Sequence, residues 1–141
     1  MAAEMPRVRN ELKYYISYGE YLVLRDRLKQ AMMVDENADK QMRTYHIRSL
    51  YFDDIYNTAM WEKAEGVEFR KKWRIRIYNF SDKNITLEKK SKYDKFTAKE
   101  SEKLSRLNVE GMIYRNDYSF LFPSGVKLFE EMYADVKSKL L

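Results

Sequence analysis

Apolar and polar positions change their spacing several times along the chain, and each change marks an element. From Arg7 to Ser17 the character alternates, with Arg7, Arg9, Glu11, Lys13 and Tyr15 on one side and Val8, Asn10, Leu12, Tyr14 and Ile16 on the other. Period two predicts a strand. From about Gly19 to Met33 the spacing lengthens: Tyr21, Leu24, Leu28, Ala31 and Met32 recur at three- and four-residue steps, which predicts an amphipathic helix. Polar residues from Asp35 to Arg43 read as a loop, and Tyr45 to Phe52 as an aromatic-rich strand ending at Asp53 and Asp54. A short helix is expected from Asn57 to Ala64, stopped by Gly66.

The clearest alternation lies between Val67 and Asn79. Phe69, Trp73, Ile75 and Ile77 fall on one side, Arg70, Lys72, Arg74 and Arg76 on the other, and Lys71 alone interrupts the apolar side. After a turn from Asn79 to Asn84, the stretch from Ile85 to Lys92 reads as the returning strand, with Ile85 and Leu87 opposite Glu88, Lys90 and Lys92. Together they predict an antiparallel hairpin. A weaker strand from about Lys95 to Lys103 places Lys95, Thr97, Lys99, Ser101 and Lys103 on one side. Ser105 is suited to cap a helix running towards Tyr114, and a last helix from about Ser124 turns Val126, Phe129, Met132, Tyr133 and Val136 inward. The expected class is α+β, an antiparallel sheet with flanking helices in one domain spanning 1–141.

Composition narrows the chemistry. In 141 residues, 45% are hydrophobic and 35% charged, with four glycines and two prolines, as a folded domain requires and a disordered tail does not. No cysteine excludes disulfides and thiolate metal sites, and one histidine excludes a histidine-cluster zinc site. A serine hydrolase triad would rest on His46 alone. The start MAAEMPRVRNELK lacks a signal-peptide core, and no stretch approaches the roughly 18 apolar residues of a membrane span, so a cytoplasmic protein is expected.

The net charge of +5 favours anionic partners, and its placement says more than its size. Alternate residues of a strand lie about 6.6 Å apart, so each adjacent pair among Arg70, Lys72, Arg74 and Arg76 repels by about 0.6 kcal/mol even in bulk water. For one strand, a solvated outer face explains this as well as a binding surface does. Across the sheet, however, Arg9, Glu11 and Lys13, then Glu88, Lys90 and Lys92, then Lys95, Lys99 and Lys103 also lie opposite the apolar residues. A curved sheet would turn all of them onto one concave surface fitted to a polyanion, with arginines forking to phosphate oxygens and lysines as mobile charges. Glu11 and Glu88 within this set read first as partners of neighbouring cations, with ligation of a hard divalent cation as the alternative. Asp53 and Asp54 read as a turn, His46 as a partly buried side chain, and the twelve tyrosines and eight methionines as packing residues. Neither a Walker loop nor GxGxxG occurs, so any phosphate site must be built from side chains.

The segments RNELKYYIS, YHIRSLYFDD, EGVEFRKKWRIRIYN and ITLEKKSK occur in the order found in VTC domains, and the chain resembles that family over essentially its whole length. VTC domains are the catalytic tunnel domains of polyphosphate polymerases, in the triphosphate tunnel metalloenzyme superfamily. The resemblance implies a sheet curved towards a tunnel lined by basic side chains, in which the γ-phosphate of ATP passes to a polyphosphate chain with manganese or magnesium present. It carries phosphate-binding roles to Lys13, Arg74, Arg76 and Lys90, and to Lys99 beyond a variable loop. Arg70 and Lys72, from the charge pattern, complete the expected substrate-binding set, with Glu11 and Glu88 as supporting carboxylates. The family domain continues past the matching segments, so the chain is expected to be its N-terminal portion, inactive alone, with an exposed sheet edge that favours self-association or exchange of terminal elements. Expected partners are ATP, triphosphate or polyphosphate. A non-catalytic phosphate-binding module and a triphosphatase of the same superfamily remain the alternatives. Nucleic-acid binding is disfavoured because aromatic stacking platforms are not clearly on the cationic side.

Overall fold

The alternating stretches Phe69–Tyr78, Ile85–Tyr93 and Phe96–Leu104 become a three-stranded antiparallel meander in the computed structural model, which describes residues 8–36, 38–39 and 41–139. These strands are β3, β4 and β5. Numbered with them, the elements are β1 (Arg9–Asn10), α1 (Tyr18–Ala31), β2 (Ile47–Phe52), α2 (Thr58–Ala64), α3 (Arg106–Arg115), a 3-10 turn (Ser119–Leu121) and α4 (Lys127–Lys139). The sheet order is β1-β5-β4-β3-β2, antiparallel throughout and open. The fold is α+β.

The chain forms two units. One comprises the sheet, α2, α3 and α4, and the other is Leu12–His46, containing α1. In the second unit, Ser17 and Glu20 make a reciprocal capping box, with the Glu20 carboxylate accepting from the Ser17 N–H at 2.7 Å. No residue of α1 is buried.

In the first unit, one face of the sheet forms the core. Trp73 and Ile75 of β3, Ile85 and Leu87 of β4 and Leu104 of β5 pack with Met112 of α3, Leu121 of the turn, and Leu128 and Met132 of α4. Leu87, Leu121 and Met132 are fully buried. The Ser105 hydroxyl accepts from the Asn108 N–H at 3.1 Å and starts α3 directly after β5. The Asp53 carboxylate accepts from the N–H groups of Ala59 and Met60, at 2.8 and 3.1 Å, and Asp54 from that of Thr58 at 2.9 Å. Both aspartates therefore serve the start of α2, where the N–H groups of Thr58 and Ala59 precede the first intrahelical bond.

The structure corrects two sequence expectations. The strand expected from Arg7 to Ser17 shrinks to Arg9 and Asn10, which pair with Thr97 and Phe96; Arg7 lies outside the described residues. Alternation supplies a face, but a strand also needs a partner, and β1 shares only two residues of register with β5. Lys71, read as a mere interruption, is a structural link. Its ammonium contacts Asp135 of α4 at 2.6 Å, and the Trp73 indole N–H donates to the same carboxylate at 2.7 Å. The pair ties α4 to β3 across the core face.

Candidate phosphate-binding face

Register decides which cations meet on the opposite face. Directly paired residues of adjacent strands share a face, so the ladder writes out four rows. Arg70, Lys92, Thr97 and Arg9 form the first, and Lys72, Lys90 and Lys99 the second. Tyr51, Arg74, Glu88 and Ser101 form the third, and Ser49, Arg76, Thr86 and Lys103 the fourth. Strands about 4.8 Å apart and alternate residues about 6.6 Å apart set the spacing of the rows. Lys95 precedes β5 in the tight turn, with its ammonium 5.5 Å from the centre of the Phe96 ring.

Glu88 lies within the cation cluster and is 2% exposed. Its Oε2 accepts from Arg74 Nε at 2.6 Å and contacts Arg74 Nη2 at 2.5 Å; Arg76 Nη1 is 3.9 Å away, and Lys99 Nζ lies 3.6 Å from Oε1. One buried carboxylate thus faces three cations. A buried carboxylate requires such company, since an unpaired one would not remain charged. Arg74 also donates from Nη1 to the Tyr51 hydroxyl at 3.1 Å, and Arg76 from Nε to the Ser49 hydroxyl at 3.1 Å. Burial is the largest single influence on Arg74 and opposes its charge, but the hydrogen bonds to Tyr51 and Glu88 outweigh it and hold the guanidinium above its ordinary value. The bond from Arg74 is likewise the main reason the Tyr51 phenol lies below its ordinary value. Lys72 is displaced downward, first by burial and then by the charges of Lys63 and Arg70. An entering anion would relieve that repulsion. At the second row, Glu11 contacts Lys90 at 2.6 Å.

The site residues expected from sequence therefore divide. Arg70, Lys72, Arg74, Arg76, Glu88, Lys90 and Lys99 occupy one face of one sheet, with Glu11 joined to it through Lys90. Lys13 belongs to the other unit, where it is exposed in the irregular stretch ahead of α1. Tyr51 and Ser49 were missed. The run Ile47 to Phe52 does not alternate cleanly, and only its register on β3 shows that both hydroxyls lie beside the arginines.

These carboxylates do not fit a resident divalent cation. Glu88 and Glu11 already accept from cations, and among the described residues no three His, Cys, Asp or Glu side chains cluster in a way that would hold an ion. What the face fits is an extended anion.

The fold is an open antiparallel sheet with ordered rows of cations on the face opposite its core. The VTC domain profile matches residues 8–141, and the chain belongs to that family. Membership points to a polyphosphate-related tunnel-domain function and to a metal-dependent class of domain. Searches of curated proteins and of solved structures return no match. Among the described residues, no helix is long and apolar enough to cross a membrane.

Proposed function

We propose that the cationic face binds the phosphates of ATP and of polyphosphate, and that it serves γ-phosphoryl transfer to a polyphosphate chain in a VTC-type polymerase. The carrying observation is the set of Arg74, Arg76 and Lys99 around one buried carboxylate, continued by Lys72 and Lys90 in the next row. Transfer between phosphates is chiefly positioning and charge stabilisation. The attacking group is a terminal phosphate oxygen, already ionised, so no general base is needed. Arg76 and the lysines bind and orient the phosphates, and Glu88 holds Arg74 in a fixed orientation. The family resemblance assigns a phosphate-binding role to Lys13 as well. Manganese or magnesium would enter with the nucleotide.

The sheet is open, and the chain alone is expected to bind phosphates with little polymer formation. Incubation of the purified chain with γ-labelled ATP and manganese or magnesium, followed by separation of products, tests this. Labelled polymer would show that the open sheet suffices for transfer, and labelled orthophosphate would indicate a triphosphatase. Binding without either product is the result expected of the chain alone, and a non-catalytic phosphate-binding role, a reading favoured by the engagement of both Glu11 and Glu88 with cations, expects the same.

A further inference from the structure

Beside the two arginines of β3, the edge strand β2 presents two hydroxyls in matching positions. Ser49 lies opposite Arg76 and Tyr51 opposite Arg74, and each hydroxyl accepts a hydrogen bond from its own arginine at 3.1 Å. A hydroxyl has one hydrogen to donate and two lone pairs to accept with. The arginine takes a lone pair and leaves the hydrogen. Neither hydroxyl finds an acceptor for it among the described residues. Glu88, the carboxylate beside Arg74, is already engaged by Arg74, Arg76 and Lys99.

The surroundings favour an anionic acceptor. Tyr51 feels Arg74 and Arg76 on β3 and Lys90 on β4, and its hydroxyl in turn acts on the Lys72 ammonium. Cations dominate, and donation from Arg74 polarises the phenol towards giving up its proton. Ser49 is half-buried in the neighbouring row and Tyr51 is more exposed, so both hydroxyls border the face on which the phosphates are proposed to lie.

We infer that the Ser49 and Tyr51 hydroxyls form a donor rail along β2, each oriented by its arginine and each hydrogen-bonding a phosphate oxygen of a condensed phosphate chain. This rests on the proposed phosphate-binding role of the face and adds β2 to it. The two residues lie about 6.6 Å apart along the strand and their hydroxyls beside different arginines, so the rail can engage oxygens of two phosphate groups in one chain. Orthophosphate reaches one hydroxyl at most. The rail therefore contributes to preference for a chain over a single phosphate.

The test is calorimetric titration of the full chain and its Tyr51→Phe and Ser49→Ala variants with tripolyphosphate and with orthophosphate. A hydrogen bond to a charged group predicts that each variant binds tripolyphosphate about tenfold more weakly. An Arg74→Lys background separates direct contact from positioning, because lysine keeps the charge but lacks the guanidinium fork that reaches the phenol. Direct contact predicts that Tyr51→Phe still loses about tenfold there, since energies of independent contacts add. A loss that vanishes in that background would overturn the inference by showing that Tyr51 acts only through Arg74. Unchanged affinity in both single variants, with wild-type preference for tripolyphosphate intact, would overturn the rail and leave the proposed function standing. Absence of that preference in the wild type would remove both. If Tyr51→Phe fails to fold, Ser49→Ala decides alone: tenfold weakening supports the rail, and unchanged affinity overturns it.

Discussion

Lys71 and Lys72 are neighbours on β3, and replacing each should give opposite results. The Lys71 ammonium lies 2.6 Å from Asp135, whose side chain is 11% exposed, while that of Lys71 is 42% exposed. Removing one member of a fully buried pair costs about 3 to 5 kcal/mol because the other charge is stranded. Water access to Lys71 and the remaining bond from Trp73 reduce this, so Lys71→Ala is expected to destabilise by about 2 kcal/mol. For a chain of this size that lowers the melting midpoint by roughly 8 °C. Tripolyphosphate affinity should not change, because Lys71 faces α4. Lys72→Met should do the reverse: weaker binding and a midpoint equal to or above wild type, since burial and the Lys63 and Arg70 charges already disfavour its ammonium. Thermal denaturation and titration of both variants provide the check. An unchanged midpoint for Lys71→Ala, or a loss of binding like that of Lys72→Met, would refute the division of faces.

The same displacement of Lys72 has a pH signature. Its folded pKa is below its unfolded value, so the charged form costs stability at neutral pH, and that cost disappears as pH rises through the folded pKa towards the ordinary 10.5. The stability difference between Lys72→Met and wild type, followed by urea denaturation at rising alkaline pH, should therefore shrink; a constant difference would contradict it. Glu88→Gln leaves Arg74 buried beside a neutral partner and should destabilise by about 3 kcal/mol, with orthophosphate raising the midpoint more in the variant than in wild type. Ser17→Ala removes the cap of α1 and should cost about 1 kcal/mol of local helix stability, read as faster amide exchange over Tyr18 to Tyr21. β2 and the part of β5 beyond Thr97 have no outer partner among the described residues, so the isolated chain should self-associate in light scattering. A clean monomer would argue against edge pairing.

The meander was legible because alternation over Phe69 to Lys103 is nearly unbroken, and its cationic face could be written down before the strands were paired. The start of α3 was legible at its cap, Ser105, whereas Asp53 and Asp54 read only as a turn and their hold on α2 was not foreseen. What escaped the sequence depends on partners far along the chain. Asp135 gives Lys71 its meaning from 64 residues away. Tyr51 and Ser49 join the site only through the pairing of β2 with β3, which no local pattern specifies. The first strand failed for the same reason in reverse, because its pattern was sound while its register on β5 ends after two residues.

The central claim is that rows of cations on one sheet face act together on a chain of phosphates. Calorimetric titration of the purified chain with tripolyphosphate and with orthophosphate, each at several salt concentrations, tests it most directly. Several simultaneous phosphate contacts predict much tighter binding of tripolyphosphate and a steeper loss of its affinity as salt rises, by analogy with counterion release from nucleic acids. Arg76→Ala should reduce both the affinity and the slope. Equal affinities for the two ligands with equal salt slopes would mean that the cations act singly, and would contradict the account.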